Sequence, residues 1–114
     1  MFNRIRRFIE RGRKGYCYED IWQFENWLSK LIAGGLREFK QNCCTYPGDD
    51  MTWEEWMGIL DEMVECFEEQ SRKIDNIHRD KDFMELYHKR DEERKKKLHR
   101  GLFLLEKYYY DLWD

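Results

Sequence analysis

The stretch TWEEWMGILDEMVECFEEQ, Thr52 to Gln70, decides the fold class. Thr52 and Glu55 have the spacing of a capping box, in which the threonine side chain accepts a hydrogen bond from the amide of Glu55. Apolar residues then recur at alternate steps of four and three, which is the seam of a helix that packs along another helix. The seam consists of Trp56, Leu60, Met63, Phe67, Gln70 and Ile74. The stretch predicts an amphipathic helix that ends near Asp75.

The composition favours helices throughout the chain. Valine occurs once and threonine twice, while Glu, Lys, Arg and Leu are abundant, and these are helix-forming residues. A length of 114 residues suits one domain with a single core. Aromatic residues make up 17% of the chain, which argues against disorder. We therefore expect an all-α protein whose residues 1–114 form one domain.

Two helices are expected before the turn at Pro47-Gly48. The first is short and basic and ends at Gly12 and Gly15; its apolar face consists of Phe2, Ile5, Phe8 and Ile9. The second begins near Tyr18 and extends to about Gln41 with a bend at Gly34-Gly35, where the lack of side chains also leaves room for a close backbone approach. Its core-facing residues are expected to be Ile21, Phe24 and Leu28, with the stripe continued by Leu31, Ile32, Leu36 and Phe39.

The last segment has helical spacing at both ends but not in the middle. Apolar residues lie at Phe83, Leu86 and Tyr87, and the spacing returns from Leu98 to Leu112 after the charged run Lys89 to Lys97. One continuous helix would be roughly 45 Å long at 1.5 Å per residue, more than a small bundle covers. We expect a bundle of one short N-terminal helix and three longer helices, the last partly projecting. The sequence does not decide whether the last helix continues through the charged run.

The charges are segregated along the chain although the net charge is only −3. Residues 1–14 contain six bases and one acid, residues 49–69 nine acids and no base, and residues 88–100 seven Lys or Arg and three acids. Such blocks indicate helices that face one another, within a bundle or between protomers, and less often a site for an anion.

The segment RGRKGYCYEDIW, Arg11 to Trp22, is the strongest candidate for a ligand site. Bases in a glycine-flanked loop before a helix, with aromatic rings nearby, are typical of sites for phosphates and bases. The candidate ligand-binding residues are Arg11, Arg13, Lys14, Tyr16, Tyr18 and Trp22. In the alternative interpretation, Trp22 and Trp27 belong to a core or an interface and the arginines pair with the acidic helix. Duplex nucleic acid is disfavoured as a partner because the chain is acidic overall.

Metal chemistry and catalysis have weaker signals. Glu85 and His88 form one Glu-x-x-His pair, whereas a di-iron bundle needs two. The carboxylates of Glu62, Glu65 and Glu69 have the spacing of a Mg²⁺ site in an all-α nucleotide pyrophosphatase, but also of any solvated Glu-rich helix. We expect no catalytic residue, no metal ligand and no cofactor. The chain has no apolar run long enough to span a bilayer and no signal-peptide core, so we expect a cytoplasmic protein with free cysteines and no membrane partner.

The aromatic residues exceed what a core of this size needs. Exposed rings are costly in water and common at protein interfaces. The predicted interface residues are Trp53, Trp56, Tyr108, Tyr109, Tyr110 and Trp113, and the expected assembly is a homo-oligomer.

Three phrases of the sequence resemble a group of small proteins from tailed phages and prophages. They are RKGYCYEDIWQFENWLSKLIAGGLREFKQ, YPGDDMTWEEWMGILDEM and GLFLLEKYYYDLWD, and the likeness covers residues 11–63 and 101–114. The charged stretch before Gly101 departs from the pattern. The resemblance brings no catalytic or binding residues, and it implies a viral gene that acts inside a bacterial cell.

Three hypotheses on function follow. The favoured one is a non-enzymatic phage accessory protein that binds in the host cytoplasm, either as an inhibitor of a host defence protein or as a sponge for a nucleotide signal. The second is a structural or assembly protein of the phage. The third is the metal-dependent pyrophosphatase.

Overall fold

The computed structural model describes residues 2–48, 50–71 and 83–113. Over these ranges the chain forms α-helices and one 3₁₀ turn without any strand, which confirms the all-α prediction. The elements are α1 (Phe2–Lys14), α2 (Tyr18–Trp22), α3 (Phe24–Asn42), α4 (Trp53–Ser71), α5 (Phe83–Tyr108) and the 3₁₀ turn (Tyr109–Asp111). The predicted seam residue Ile74, the helix end near Asp75 and residues 76–82 lie outside the described ranges.

Helix α4 supplies the centre of the core. Its predicted capping box is confirmed, because the Glu55 amide donates to Thr52 Oγ1 at 3.1 Å and the Thr52 amide donates to a Glu55 carboxylate oxygen at 3.4 Å. Its seam is also confirmed, and the four side chains that are almost completely buried are Trp56, Leu60, Met63 and Phe67. They pack against Ala33 and Leu36 of α3, against Cys43, which directly follows α3, and against Leu104 of α5.

The helix expected from Tyr18 to Gln41 is interrupted, but not where the sequence suggested. Gln23 has φ −124° and ψ 61°, which is outside helical values and separates α2 from α3. Gly34 and Gly35 lie inside α3, and no other atom comes within 4 Å of a Cβ built on either one. The predicted close approach at these glycines is therefore wrong.

The apolar residues that the sequence assigned to the core in α2 and at the start of α3 lie on an exposed face instead. Ile21, Phe24 and Leu28 were expected in the core, yet they are 40%, 48% and 37% exposed. The buried residues of α3 are Ser29, Ala33 and Leu36, on a different face of the helix, because α4 packs there.

Helix α5 is continuous through the charged run and packs closely on α4. A Cβ built on Gly101 would lie 2.9 Å from the Cys66 Cβ, so the absence of a side chain lets the helices approach. One turn after Cys66, Gln70 Nε2 donates to the Arg94 carbonyl at 2.8 Å, and Arg94 Nη2 donates to the Gln70 carbonyl at 2.9 Å. Each of these two side chains thus donates to the backbone of the other helix, and the reciprocal pair of hydrogen bonds joins α4 to α5.

Ion pairs run along both sides of α4. On the α3 side, Arg37 pairs with Glu68, and Lys40 with Asp61 at 2.5 Å. On the α5 side, the pairs are Arg100 with Glu62 at 2.7 Å and Lys97 with Glu65 at 3.3 Å and Glu69 at 3.9 Å. The acidic block thus faces basic residues of two neighbouring helices, which confirms the prediction of opposed charged helices for the block at residues 88–100.

The molecule is flat and open. Its radius of gyration is 17.5 Å and its principal extents are 52 × 43 × 19 Å, whereas a compact domain of this length has a radius of gyration of about 13 Å. Helices α3 and α5 each pack on α4, and α1 has no extended packing contact with the other described helices. No helix in the described parts of the chain has the length and apolar character needed to cross a membrane.

Candidate functional site

Gly15 turns the chain from α1 into α2. Its φ is +85°, a left-handed conformation that glycine adopts without strain, and its amide donates to the Arg11 carbonyl at 2.8 Å. Helix α1 continues through Gly12 to Lys14, so Arg11, Arg13 and Lys14 lie in its last turn. The prediction that these bases occupy a glycine-flanked loop is therefore wrong.

Arg11 and Asp20 form the central ion pair of this region. Arg11 Nε donates to one Asp20 carboxylate oxygen at 3.1 Å and Nη2 donates to the other at 2.8 Å. The amide of buried Cys17 donates a third hydrogen bond to the same carboxylate at 2.9 Å. These contacts, above all the one from Arg11, hold the pKa of Asp20 well below its ordinary value, and Asp20 in turn raises the pKa of Arg11.

Glu19 holds a second connection between α1 and α2. Its carboxylate pairs with Arg6 and lies 3.6 Å from Arg7 Nε. A backbone hydrogen bond within Glu19 contributes most to lowering the pKa of its carboxyl, and the charges of Arg6 and Arg7 lower it further. Arg6, Arg7 and Arg11 of α1 therefore pair with α2, and not with the acidic helix α4 as the alternative interpretation had it.

A cavity of about 390 Å³ lies beside these pairs, between α1, α2 and the start of α3. Its lining combines two indole rings, two carboxamides, two carboxylates and two cations. The lining residues are Arg11, Glu19, Asp20, Trp22, Gln23, Asn26, Trp27 and Lys30. Their formal charges cancel, and the fork of the Arg11 guanidinium is already bonded to Asp20. The cavity can therefore hold an aromatic or amide-bearing group, but it has no excess charge to attract a phosphate.

The structure divides the six predicted ligand-binding residues into three groups. Arg11 and Trp22 line the cavity. Arg13 and Lys14 lie away from it, along a separate groove of about 400 Å³ beside α1. Tyr16 and Tyr18 make ring contacts near the cavity instead: Tyr16 lies 6.1 Å from Trp27 and Tyr18 lies 5.8 Å from Trp22, centroid to centroid.

Six of the eight lining residues were not among the predicted ligand-binding residues: Glu19, Asp20, Gln23, Asn26, Trp27 and Lys30. Gln23 lies there because it breaks the helix, and no proline or glycine marks that break. Asn26 and Lys30 are four residues apart and so share a face of α3 beside Trp27. That spacing is the signal that could have identified them.

Three of the six predicted interface rings form an exposed group at the C-terminal end of the described chain. Tyr109, Tyr110 and Trp113 are 61%, 86% and 70% exposed, and they follow directly on α5. Trp56 corrects the prediction, because it is fully buried at the centre of the core. Tyr108 packs half-buried against it, with ring centroids 5.5 Å apart. Trp53, the first residue of α4, contacts Tyr46 instead, with ring centroids 6.3 Å apart.

The carboxylates considered for Mg²⁺ are engaged by bases. Glu62 pairs with Arg100, while Glu65 and Glu69 share Lys97. Within residues 2–48, 50–71 and 83–113, no three His, Cys, Asp or Glu side chains are grouped so that they could hold a metal ion. A cation at this face would have to displace the bases that join α4 to α5.

No protein-family model, no curated protein and no solved structure matches the chain. The interpretation of the site therefore depends on its geometry.

Proposed function

We propose that this protein is a non-enzymatic phage accessory protein that acts in the host cell by binding a partner protein, and that its binding surface is centred on Tyr18 and Trp22. The observation that carries the proposal is the exposure of these rings: Tyr18 is 60% and Trp22 is 69% exposed. They contact each other edge to face at 5.8 Å on the rim of the neutral cavity. Exposed Trp and Tyr residues are enriched among the residues that dominate binding energies between proteins.

The rings are held in place before any partner arrives. Helix α2 has only five residues, yet its Glu19 and Asp20 pair with Arg6 and Arg11 of α1. Asp20 also accepts the Cys17 amide at the start of α2. A surface fixed in this way loses little conformational freedom on binding, which favours affinity.

The charge of the cavity favours a protein partner over a nucleotide. A nucleotide-signal sponge needs cations that are free to contact phosphate, but Arg11 is bonded to Asp20 and Glu19 lies beside it. A partner's aromatic or amide side chain requires no such excess of positive charge. The assignment to phages, and a host defence protein as the partner, are supported by the sequence resemblance alone.

The test is expression of the chain in bacterial strains that each carry one defence system, followed by plating of a sensitive phage. We expect plating to rise in at least one strain and to fall again with Trp22→Ala. Trp113→Ala is the matched control, because Trp113 is equally exposed at 70% but lies in the C-terminal group. A rise that survives Trp22→Ala, or no rise in any strain, would contradict the proposal. A change in melting temperature with free nucleotides would favour the sponge instead.

A phage assembly protein is the second candidate, and the exposed C-terminal rings favour it. Tyr109, Tyr110 and Trp113 are more exposed than a lone subunit favours, and self-association would cover them. Under this hypothesis the protein co-purifies with virions, and Trp113→Ala rather than Trp22→Ala reduces particle yield.

A further inference from the structure

Helix α1 has its apolar face towards solvent. Ile5, Phe8 and Ile9 are 56%, 78% and 54% exposed. They are spaced at three and four residues and therefore share one face of the helix. Arg7 and Arg11 on its other side, and Arg6 beside Ile5 and Ile9, pair with Glu19 and Asp20 of α2. These ion pairs attach α1 to α2, whereas the apolar face of α1 is exposed to solvent.

Bases stand at both ends of this apolar face. Arg4 precedes Phe8 by four residues and Arg13 follows Ile9 by four, so each continues a row of the exposed face. Neither makes an ion pair with any residue in the described part of the chain. Lys14 pairs only with Glu10 of the same helix, at 3.4 Å, and its side chain is 58% exposed. The face is therefore apolar in the middle and positively charged at its margins.

This pattern discriminates among the possible occupants. A second copy of the same face would bring Arg4 and Arg13 of both copies together at the margins of the contact, and like charges repel. Nucleic acid offers phosphates and bases that stack on aromatic rings such as Phe8, but Ile5 and Ile9 offer no ring for stacking. The surface of an anionic bilayer offers both partners, with acidic headgroups for the bases and an acyl boundary for the apolar side chains.

We propose that α1 binds the surface of anionic membranes, with Ile5, Phe8 and Ile9 inserted at the acyl boundary and Arg4, Arg13 and Lys14 at the headgroups. The absence of a spanning helix in the described residues does not bear on this, because an amphipathic helix lies in the plane of the interface. The expectation of no membrane partner, drawn from the lack of a spanning run, is replaced by this proposal. It is independent of the proposed binding partner, because it uses a different face of the molecule.

The test is co-sedimentation of the full chain with vesicles of phosphatidylcholine alone and of phosphatidylcholine mixed equally with phosphatidylglycerol. We expect binding to the mixed vesicles, weakened by added salt, and little binding to the neutral ones. Ile9→Glu should lower the apparent affinity roughly tenfold or more, because it places a charge where an apolar side chain inserts. Leu31→Glu on α3 is the matched control, since Leu31 is 55% exposed and Ile9 is 54% exposed.

Two further measurements distinguish a loss of membrane binding by Ile9→Glu from a loss of structure. Circular dichroism checks that Ile9→Glu retains the helix content of the parent, as the exposure of Ile9 predicts. Hydrogen exchange of residues 2–14 should slow when anionic vesicles are added, while that of residues 24–42 should not change. No sedimentation with anionic vesicles, an equal loss in both variants, or an oligomer that Ile9→Glu dissociates would overturn the proposal, the last by identifying a second copy as the occupant.

Discussion

Gly101 of α5 lies so close to Cys66 of α4 that a Cβ built on the glycine would be 2.9 Å from the Cys66 Cβ and 3.2 Å from the Phe67 ring. Two real Cβ atoms do not come as close as 2.9 Å. Because Gly101 is also buried, a side chain at this position could not turn away into solvent. The packing of α5 against Cys66 and Phe67 of α4 therefore depends on a residue without a side chain.

Gly101→Ala should destabilise the protein by about 1–3 kcal/mol, because the added methyl group overpacks the contact between α4 and α5. Gly58→Ala on the exposed side of α4 is the control. No other atom lies within 4 Å of a Cβ at that position, so the higher helix propensity of alanine should stabilise the protein by about 1 kcal/mol. Urea unfolding measures both changes, and a stabilised Gly101→Ala variant would show that the helices can separate without cost.

Substitution by alanine should have a large effect on stability at Trp56 and almost none at Trp22. Trp56 is completely buried, so Trp56→Ala should lower the free energy of unfolding by about 3–5 kcal/mol. Trp22 is 69% exposed, so Trp22→Ala should change it by no more than about 0.5 kcal/mol. Chemical denaturation separates the two. A large destabilisation by Trp22→Ala would mean that the ring is structural, and it would remove Trp22 as evidence for a binding surface.

The pair of Arg11 and Asp20 should make stability depend on pH in the acid range. The ordinary pKa of Asp20 is 3.8, and in the folded chain the value is lower because Arg11 bonds the carboxylate. A lowered folded-state pKa contributes stability above the unfolded value, and this contribution is lost as the pH falls from 3.8 towards the folded value. Unfolding of wild type and Asp20→Asn should therefore differ most near neutral pH, and the difference should shrink below pH 3.8. A difference that is independent of pH would contradict the assignment.

The ion pair of Glu62 and Arg100 should contribute only weakly to stability. Their side chains are 43% and 51% exposed, and solvent screens the attraction between exposed charges, so such pairs contribute little. A double-mutant cycle with Glu62→Gln and Arg100→Gln measures the coupling, which should decrease in high salt.

Millimolar Mg²⁺ should leave the melting temperature of the protein unchanged, because Arg100 and Lys97 already neutralise the carboxylates of Glu62, Glu65 and Glu69. A rise that Glu65→Gln abolishes would instead restore the metal hypothesis.

Much of the helical framework was predictable because its signals are local. The Thr52–Glu55 capping box and the seam from Trp56 to Phe67 depend on spacing within a few residues, and both are present in the structure. The opposed charges were also predictable, since blocks of nine acids and seven Lys or Arg need counterions. Periodicity alone could not assign each apolar face to core or solvent, as Ile21, Phe24 and Leu28 demonstrate.

The candidate site was less predictable because it depends on how α1 folds back on α2. The bases from Arg11 to Lys14 suggested an anion site, but the fold places Asp20 within hydrogen-bonding distance of Arg11 and directs Arg13 and Lys14 elsewhere. The break at Gln23 carries no proline or glycine signal. The local sequence pattern identified the segment from Arg11 to Trp22, but only the tertiary structure shows which of its charged side chains are free to contact a ligand.

The ion pairs on the two sides of α4 have a consequence for the architecture. The outer helices α3 and α5 both present cations to the acidic one between them, so their shared sign opposes folding the trio into a closed triangular prism. This repulsion favours the observed flat arrangement, in which α4 lies between α3 and α5 and two broad surfaces are accessible. The order of acidic and basic segments along the chain thus influences how the helices are arranged. The resulting flat layer exposes the broad surface that a small protein needs to bind a larger partner.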